Sequence, residues 1–90
     1  MSTLQLIPKL LLSSISVATD KETLVRVMNV AERAINRLPE KDSAFLPGIV
    51  ESYNAAYLGS VAITCRIEGD IHYALRCEGA RDRLLESYGF

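Results

Sequence analysis

The sequence has no tryptophan, one histidine and two cysteines among its 90 residues, and only 7% of its residues are aromatic. Such a composition leaves little material for an aromatic-lined pocket or for a platform on which nucleobases stack. The glycines near the middle and end, Gly48, Gly59, Gly69 and Gly79, each stand alone, so no glycine-rich phosphate-binding loop is present. These absences predict a protein without a cofactor.

The charges are nearly balanced, with 10 Lys and Arg residues against 11 Asp and Glu residues and a net charge of −1. Non-specific binding to nucleic acid requires a basic surplus that neutralises phosphates and releases counterions. No such surplus exists, so we expect no nucleic-acid partner. The arginines Arg76, Arg81 and Arg83 alternate with acidic residues, which predicts a solvated face of mixed charge.

Few side chains could carry out catalysis. His72 is the only histidine, so a histidine that acts as general base or metal ligand must be His72. His72 and Cys77 are five positions apart, which places their side chains on divergent sides of a helix. A zinc site needs four ligands, commonly in short paired spacings, and the cysteines and His72 supply only three without such a pair. We therefore expect neither an enzyme nor a metal protein.

The two cysteines, Cys65 and Cys77, are fewer than a secreted domain of this size usually carries. We interpret them as free, buried thiols that pack like small apolar residues in a reducing, cytoplasmic environment. A disulfide across a helical hairpin is the alternative.

The N-terminal segment MSTLQLIPKLLLSSISVA is strongly apolar, and its one charged side chain, Lys9, lies inside the apolar run. A cleaved signal peptide is the alternative reading, but the basic region that begins such peptides is missing. Proline, lysine and serines also interrupt the run, so we expect no membrane insertion. A helix that is apolar most of the way round is either central in its domain or covered by another chain.

Hydrophobic spacing predicts a single all-α domain over residues 1–90, with four helices arranged as two antiparallel hairpins. The first helix begins near Leu4 or Pro8 and ends at Val17, and Thr19 or Asp20 caps the second, which ends before Pro39. A connector over 39–48 leads to a third helix over about 49–67, which we expect to be contacted on more than one face. Gly69 and Asp70 form the turn to a fourth helix over 71–88.

Small side chains concentrate where the last two helices would pack. Gly59, Ser60 and Ala62 on the third helix would face Ala74 and Gly79 on the fourth. A glycine inside a helix costs about 1 kcal/mol relative to alanine. The sequence therefore predicts that Gly79 lies in the contact and lets the two backbones approach closely.

The spacing A-x6-G-D-x3-A-L, from Ala62 through Gly69-Asp70 to Ala74-Leu75, resembles the inner part of a tetratricopeptide repeat, and AERAINRLPE over 31–40 resembles the end of one. The resemblance implies a tetratricopeptide-like fold. A plain small helical bundle is the alternative. Two features depart from the family. Glu78 and Arg81 stand where an aromatic residue and an alanine are expected, and the turns lie about 50 residues apart rather than about 34.

These features predict a small helical protein–protein interaction module, an adaptor or a chaperone similar to tetratricopeptide-like secretion chaperones, that buries an amphipathic helix of a partner. The partner is a different protein or a second copy. The predicted partner-binding residues lie on the N-terminal helix and the third helix: Leu10, Leu11, Ile15, Tyr53 and Tyr57. A small regulatory inhibitor that acts through surface charge, such as an immunity protein, an antitoxin or a phage-encoded antagonist, is the alternative.

Overall fold

The fold is known from a computed structural model, which describes the backbone of residues 3–90 and the side chains of residues 6–90. Within that range every regular element is a helix, and no strand is present. The α-helices are α1 (Thr3–Val17), α2 (Lys21–Arg37), α3 (Leu46–Glu68) and α4 (Ile71–Ser87), and a 3-10 helix (Glu40–Phe45) joins α2 to α3. The predicted all-helical class is confirmed. The first two residues of the predicted 1–90 domain lie outside the described residues.

Helix α3 is the central element, because α4, α2 and α1 all pack against it. Most of its buried positions hold small residues: Ser52, Ala55, Ala56, Gly59, Ser60, Ala62 and Cys65. Small side chains let the neighbouring helix axes come close to α3 on several sides at once. The expectation that this helix is contacted on more than one face is confirmed.

Helices α2 and α4 flank α3, and α1 packs across α3 and less extensively against α2. The Cα atoms extend over 44 × 23 × 18 Å. The middle dimension accommodates three helices side by side at axis separations of about 8–10 Å. The core cluster consists of buried residues from α1, α2 and α3 together with Leu85 of α4. Helix α2 packs on α3 far more extensively than on α1.

Helix α1 begins upstream of Pro8, so the proline lies inside the helix rather than at its start. A proline at this position lacks the N–H that would donate to the carbonyl of Leu4. Its ring is nevertheless well placed, because Pro8 is buried and lies against Gly48 at the start of α3. A Cβ added at Gly48 would lie only 3.0 Å from Pro8 Cγ, so the glycine permits this close approach.

The turn between α3 and α4 follows the sequence prediction. Gly69 adopts the left-handed conformation at φ 86°, and the N–H of Asp70 donates to the carbonyl of Cys65 at 2.8 Å. The Asp70 carboxylate then accepts from the N–H of Tyr73 and caps α4. At the start of α2, Asp20 occupies the N-cap position without a side-chain hydrogen bond.

The position of Gly79 differs from the prediction. A Cβ added there would have no heavy atom within 4 Å among its neighbours, so Gly79 does not mediate a close helix contact. Gly59 is the glycine that does. Its added Cβ would lie 3.1 Å from Leu24 Cδ1 on α2 and 3.5 Å from Arg81 Cδ on α4. The expectation was wrong because spacing along α4 does not show which flank of the helix α3 covers.

Gly79→Ala should stabilise the protein by about 1 kcal/mol, because alanine loses less backbone entropy in a helix interior and its methyl group enters open space. Urea denaturation followed by circular dichroism measures the change. Gly69→Ala is the opposite control: it should destabilise the protein, because Gly69 has a positive φ that alanine tolerates poorly. A loss of stability in Gly79→Ala would contradict the open environment of Gly79.

Candidate interaction surface

Helix α1 has apolar residues on two opposite sides. Its inner side buries Leu11, Leu12 and Ile15 in the core. At 3.6 residues per turn, Leu6, Leu10 and Val17 lie on the opposite side of the helix. They are exposed to 39%, 63% and 77% respectively. We call these three residues together with Ser13, which is also exposed and lies between Leu10 and Val17, the outer stripe of α1.

The structure separates the five predicted partner-binding residues. Leu10 and Tyr57 are exposed, and Tyr57 retains 51% of its accessible surface. Leu11 and Ile15 belong to the core cluster, and Tyr53 packs against that cluster as a partly buried side chain. In this conformation only Leu10 and Tyr57 are fully presented to a partner. Leu6 and Val17 were not among the predicted residues. They lie four residues before and seven residues after Leu10, which places all three on one line of the helix.

A second group of exposed apolar residues lies at the α3–α4 turn. Ile67 at the end of α3 is 80% exposed, and Ile71 and Leu75 follow on one side of α4. The start of α2 lies near this end of α3, because Lys21 Nζ donates to the Thr64 hydroxyl at 2.8 Å. These residues are as exposed as those of the outer stripe, but the charges of the turn interrupt the group.

Three arginine–carboxylate ion pairs lie on the described surface. Arg66 on α3 donates two hydrogen bonds to the Glu78 carboxylate on α4, at 2.6 and 2.7 Å. The arginine holds the pKa of Glu78 below its ordinary value through these hydrogen bonds. Arg81 pairs with its neighbour Asp82 on α4. The described pairs mix both signs and create no surface of one charge.

Glu78→Gln should lower the thermal midpoint at pH 7, because the neutral amide cannot form the charge-assisted pair with Arg66. The carboxylate has a lowered pKa in the folded state, so its contribution is present above the ordinary value near 4.5. It is lost as the pH falls through the folded-state value. The thermal midpoints of the variant and the wild type should therefore converge in acid. A difference that is equally large at pH 7 and at pH 3 would contradict the pairing.

The chemically reactive groups do not gather into a site. His72 is exposed in the first turn of α4, and no three His, Cys, Asp or Glu side chains among residues 6–90 are grouped to hold a metal. A shallow depression of about 370 Å³ is lined by Asn29, Glu32, Arg33 and Asn36, which all belong to the outward side of α2.

Both cysteines are free and buried, which confirms that prediction. Burial raises the pKa of the Cys65 thiol, and the nearby Asp70 carboxylate raises it further. The thiol is therefore held in its protonated, poorly nucleophilic form. Cys65 acts as a buried packing residue of α3.

No family model, no curated protein and no solved structure matches the sequence. Along the part of the chain that the structure describes, no helix combines the length and hydropathy needed to cross a membrane.

Proposed function

We propose that this chain is a small protein–protein interaction module in which the outer stripe of α1 binds an amphipathic helix of a partner. The observation that carries the proposal is the exposure of Leu6, Leu10 and Val17 opposite a face of α1 that is already buried. Helix α1 therefore needs only its inner side to hold the fold together. An apolar helical ridge of this kind suits recognition by a second helix with apolar residues at positions i, i+4 and i+7.

Energetics support this use of the outer stripe. Fully burying a leucine or valine contributes about 1.5–3 kcal/mol relative to leaving it exposed. Lys9 is the one charged residue of Thr3–Val17, so a docking helix has little charge to desolvate. Ser13 and Ser14 are small and allow a second helix to approach the backbone of α1.

A tetratricopeptide-like architecture with a chaperone role remains part of the proposal. It is supported by the Gly69-Asp70 turn, which closes α3 and caps α4 at the positions that the resemblance indicates. Inhibition through surface charge has less support, because basic and acidic residues nearly balance and the net charge is only −1. The proposal assigns no catalytic step to the chain.

Selection from a displayed library of helical peptides against the immobilised protein tests this function. Selected peptides should carry apolar residues at i, i+4 and i+7, and Leu10→Gln should weaken their binding at least about ten-fold. The matched control is Val30→Gln, because Val30 is exposed to 42% on α2, away from the outer stripe. The control should bind as the wild type does. Failure to select any peptide, or equal binding by both variants, would count against the function.

A further inference from the structure

The outer stripe of α1 has a spacing that is symmetric about its own centre. Leu6, Leu10, Ser13 and Val17 are separated by four, three and four residues. Two copies of such a stripe match each other when the helices run in opposite directions. A two-fold axis between positions 11 and 12 then places Leu6 opposite Val17 of the second copy and Leu10 opposite its Ser13. An interface of this kind is self-complementary, as a two-fold dimer requires.

Side-chain size and charge agree with this pairing. Each matched pair contains a leucine: Leu6 meets Val17, and Leu10 meets the small Ser13, which leaves room for a larger apolar side chain. Lys9 lies beside the stripe rather than on it and is exposed, so its ammonium group stays in water when the stripes meet. Two identical surfaces repel when they carry charge of one sign, and the outer stripe carries none.

We propose that the partner of the outer stripe is a second copy of this chain, bound through antiparallel packing of α1 against α1. The inference rests on the proposed function, because it takes the same stripe as the binding surface. The outer stripe has only four residues on each copy, so its interface lies at the lower limit of about 1,000 Å² for specific interfaces. The dimer should therefore be weak, with a dissociation constant on the order of 10–100 µM.

Sedimentation velocity of the full chain from about 5 to about 500 µM tests this association. The apparent mass should rise from the monomer value of 9.9 kDa toward twice that value. Leu10→Gln should raise the dissociation constant at least about ten-fold, whereas Val30→Gln should leave it unchanged. A monomer at every concentration, or a dimer that Leu10→Gln does not weaken, would overturn the proposal.

Replacing Ser13, the polar residue of the outer stripe, by leucine gives a test in which the affinity of the dimer should rise. Ser13→Leu should tighten the dimer at least about ten-fold, because each substituted residue meets Leu10 of the other copy and the contact occurs twice. Ser16→Leu adds the same side chain to an exposed position away from the stripe and should change the constant less than about two-fold. Equal tightening by both variants would indicate non-specific association and overturn the proposal.

The antiparallel direction of the two α1 helices is tested by disulfide trapping with a mild oxidant. A mixture of Leu6→Cys and Val17→Cys chains should cross-link efficiently. Either variant alone should not, since equivalent residues then lie about 16 Å apart along the helices. The native thiols are buried, and the wild type serves as background. Cross-linking of Leu6→Cys with itself would overturn the antiparallel arrangement.

A monomeric chain that still binds selected peptides through Leu10 would leave the proposed function standing and refute the second copy as partner.

Discussion

Leu12→Ala should destabilise the protein by about 2–5 kcal/mol, because the truncation removes buried surface and leaves a cavity. Leu12 has no accessible surface and is among the largest fully buried side chains of the core. A domain of this size has a total stability of only about 5–15 kcal/mol. A loss of about 3 kcal/mol corresponds to a fall in Tm of roughly 12–24 °C. Thermal unfolding followed by circular dichroism measures it.

The matched control is Leu10→Ala, which makes the same substitution two residues away on the same helix. Leu10 is 63% exposed, so its truncation should change stability by less than about 0.5 kcal/mol. The pair separates burial from helix propensity, because both variants exchange leucine for alanine within α1. Similar losses in the two variants would show that α1 does not have one buried side and one exposed side.

Gly59→Leu should destabilise the protein by about 1–3 kcal/mol or more through overpacking. A Cβ at position 59 would already lie 3.1 Å from Leu24 Cδ1, and the remainder of a leucine side chain has no room between α2 and α4. Leu24 is itself buried and cannot move into solvent without exposing apolar surface. Urea denaturation of the variant and of the wild type measures the loss.

Gly79→Leu is the control for this substitution. Both glycines lie inside helices, so both variants gain about 1 kcal/mol of helix propensity relative to glycine. At position 79 the side chain enters open space, so the variant should be as stable as the wild type or more stable. Destabilisation of Gly79→Leu together with tolerance of Gly59→Leu would reverse the assignment of the close contact.

Local signals in the sequence predicted the helices well. The end of α2 before Pro39 and the Gly69-Asp70 turn depend on the conformational limits of single residues, and these limits act wherever the chain folds. The 3-10 helix Glu40–Phe45 and the start of α3 at Leu46 were not predicted. Their residues, a charge cluster followed by two apolar side chains, have no period that distinguishes a short helix from a loop.

The binding residues were harder to predict, because the eight leucine, isoleucine and valine residues of the first helix give no contrast between its sides. Leu11 and Leu10 are adjacent and chemically identical, yet one is buried and the other exposed. Only the packing of α1 across α3 decides between them. The prediction for Gly79 was wrong for the same reason. The position of α3 decides which side of α4 is covered, and Gly79 lies on a side that is not.

The claim that α1 uses one side for the fold and the other for a partner is tested most directly by the free energy of unfolding of a Leu6→Gln/Leu10→Gln double variant. The urea denaturation uses about 1 µM protein, a concentration at which the wild type is monomeric. The free energy should lie within about 1 kcal/mol of the wild-type value, because each of the two surface substitutions changes it by up to about 0.5 kcal/mol. A loss of about 3 kcal/mol or more, as expected of a core residue, would contradict the claim.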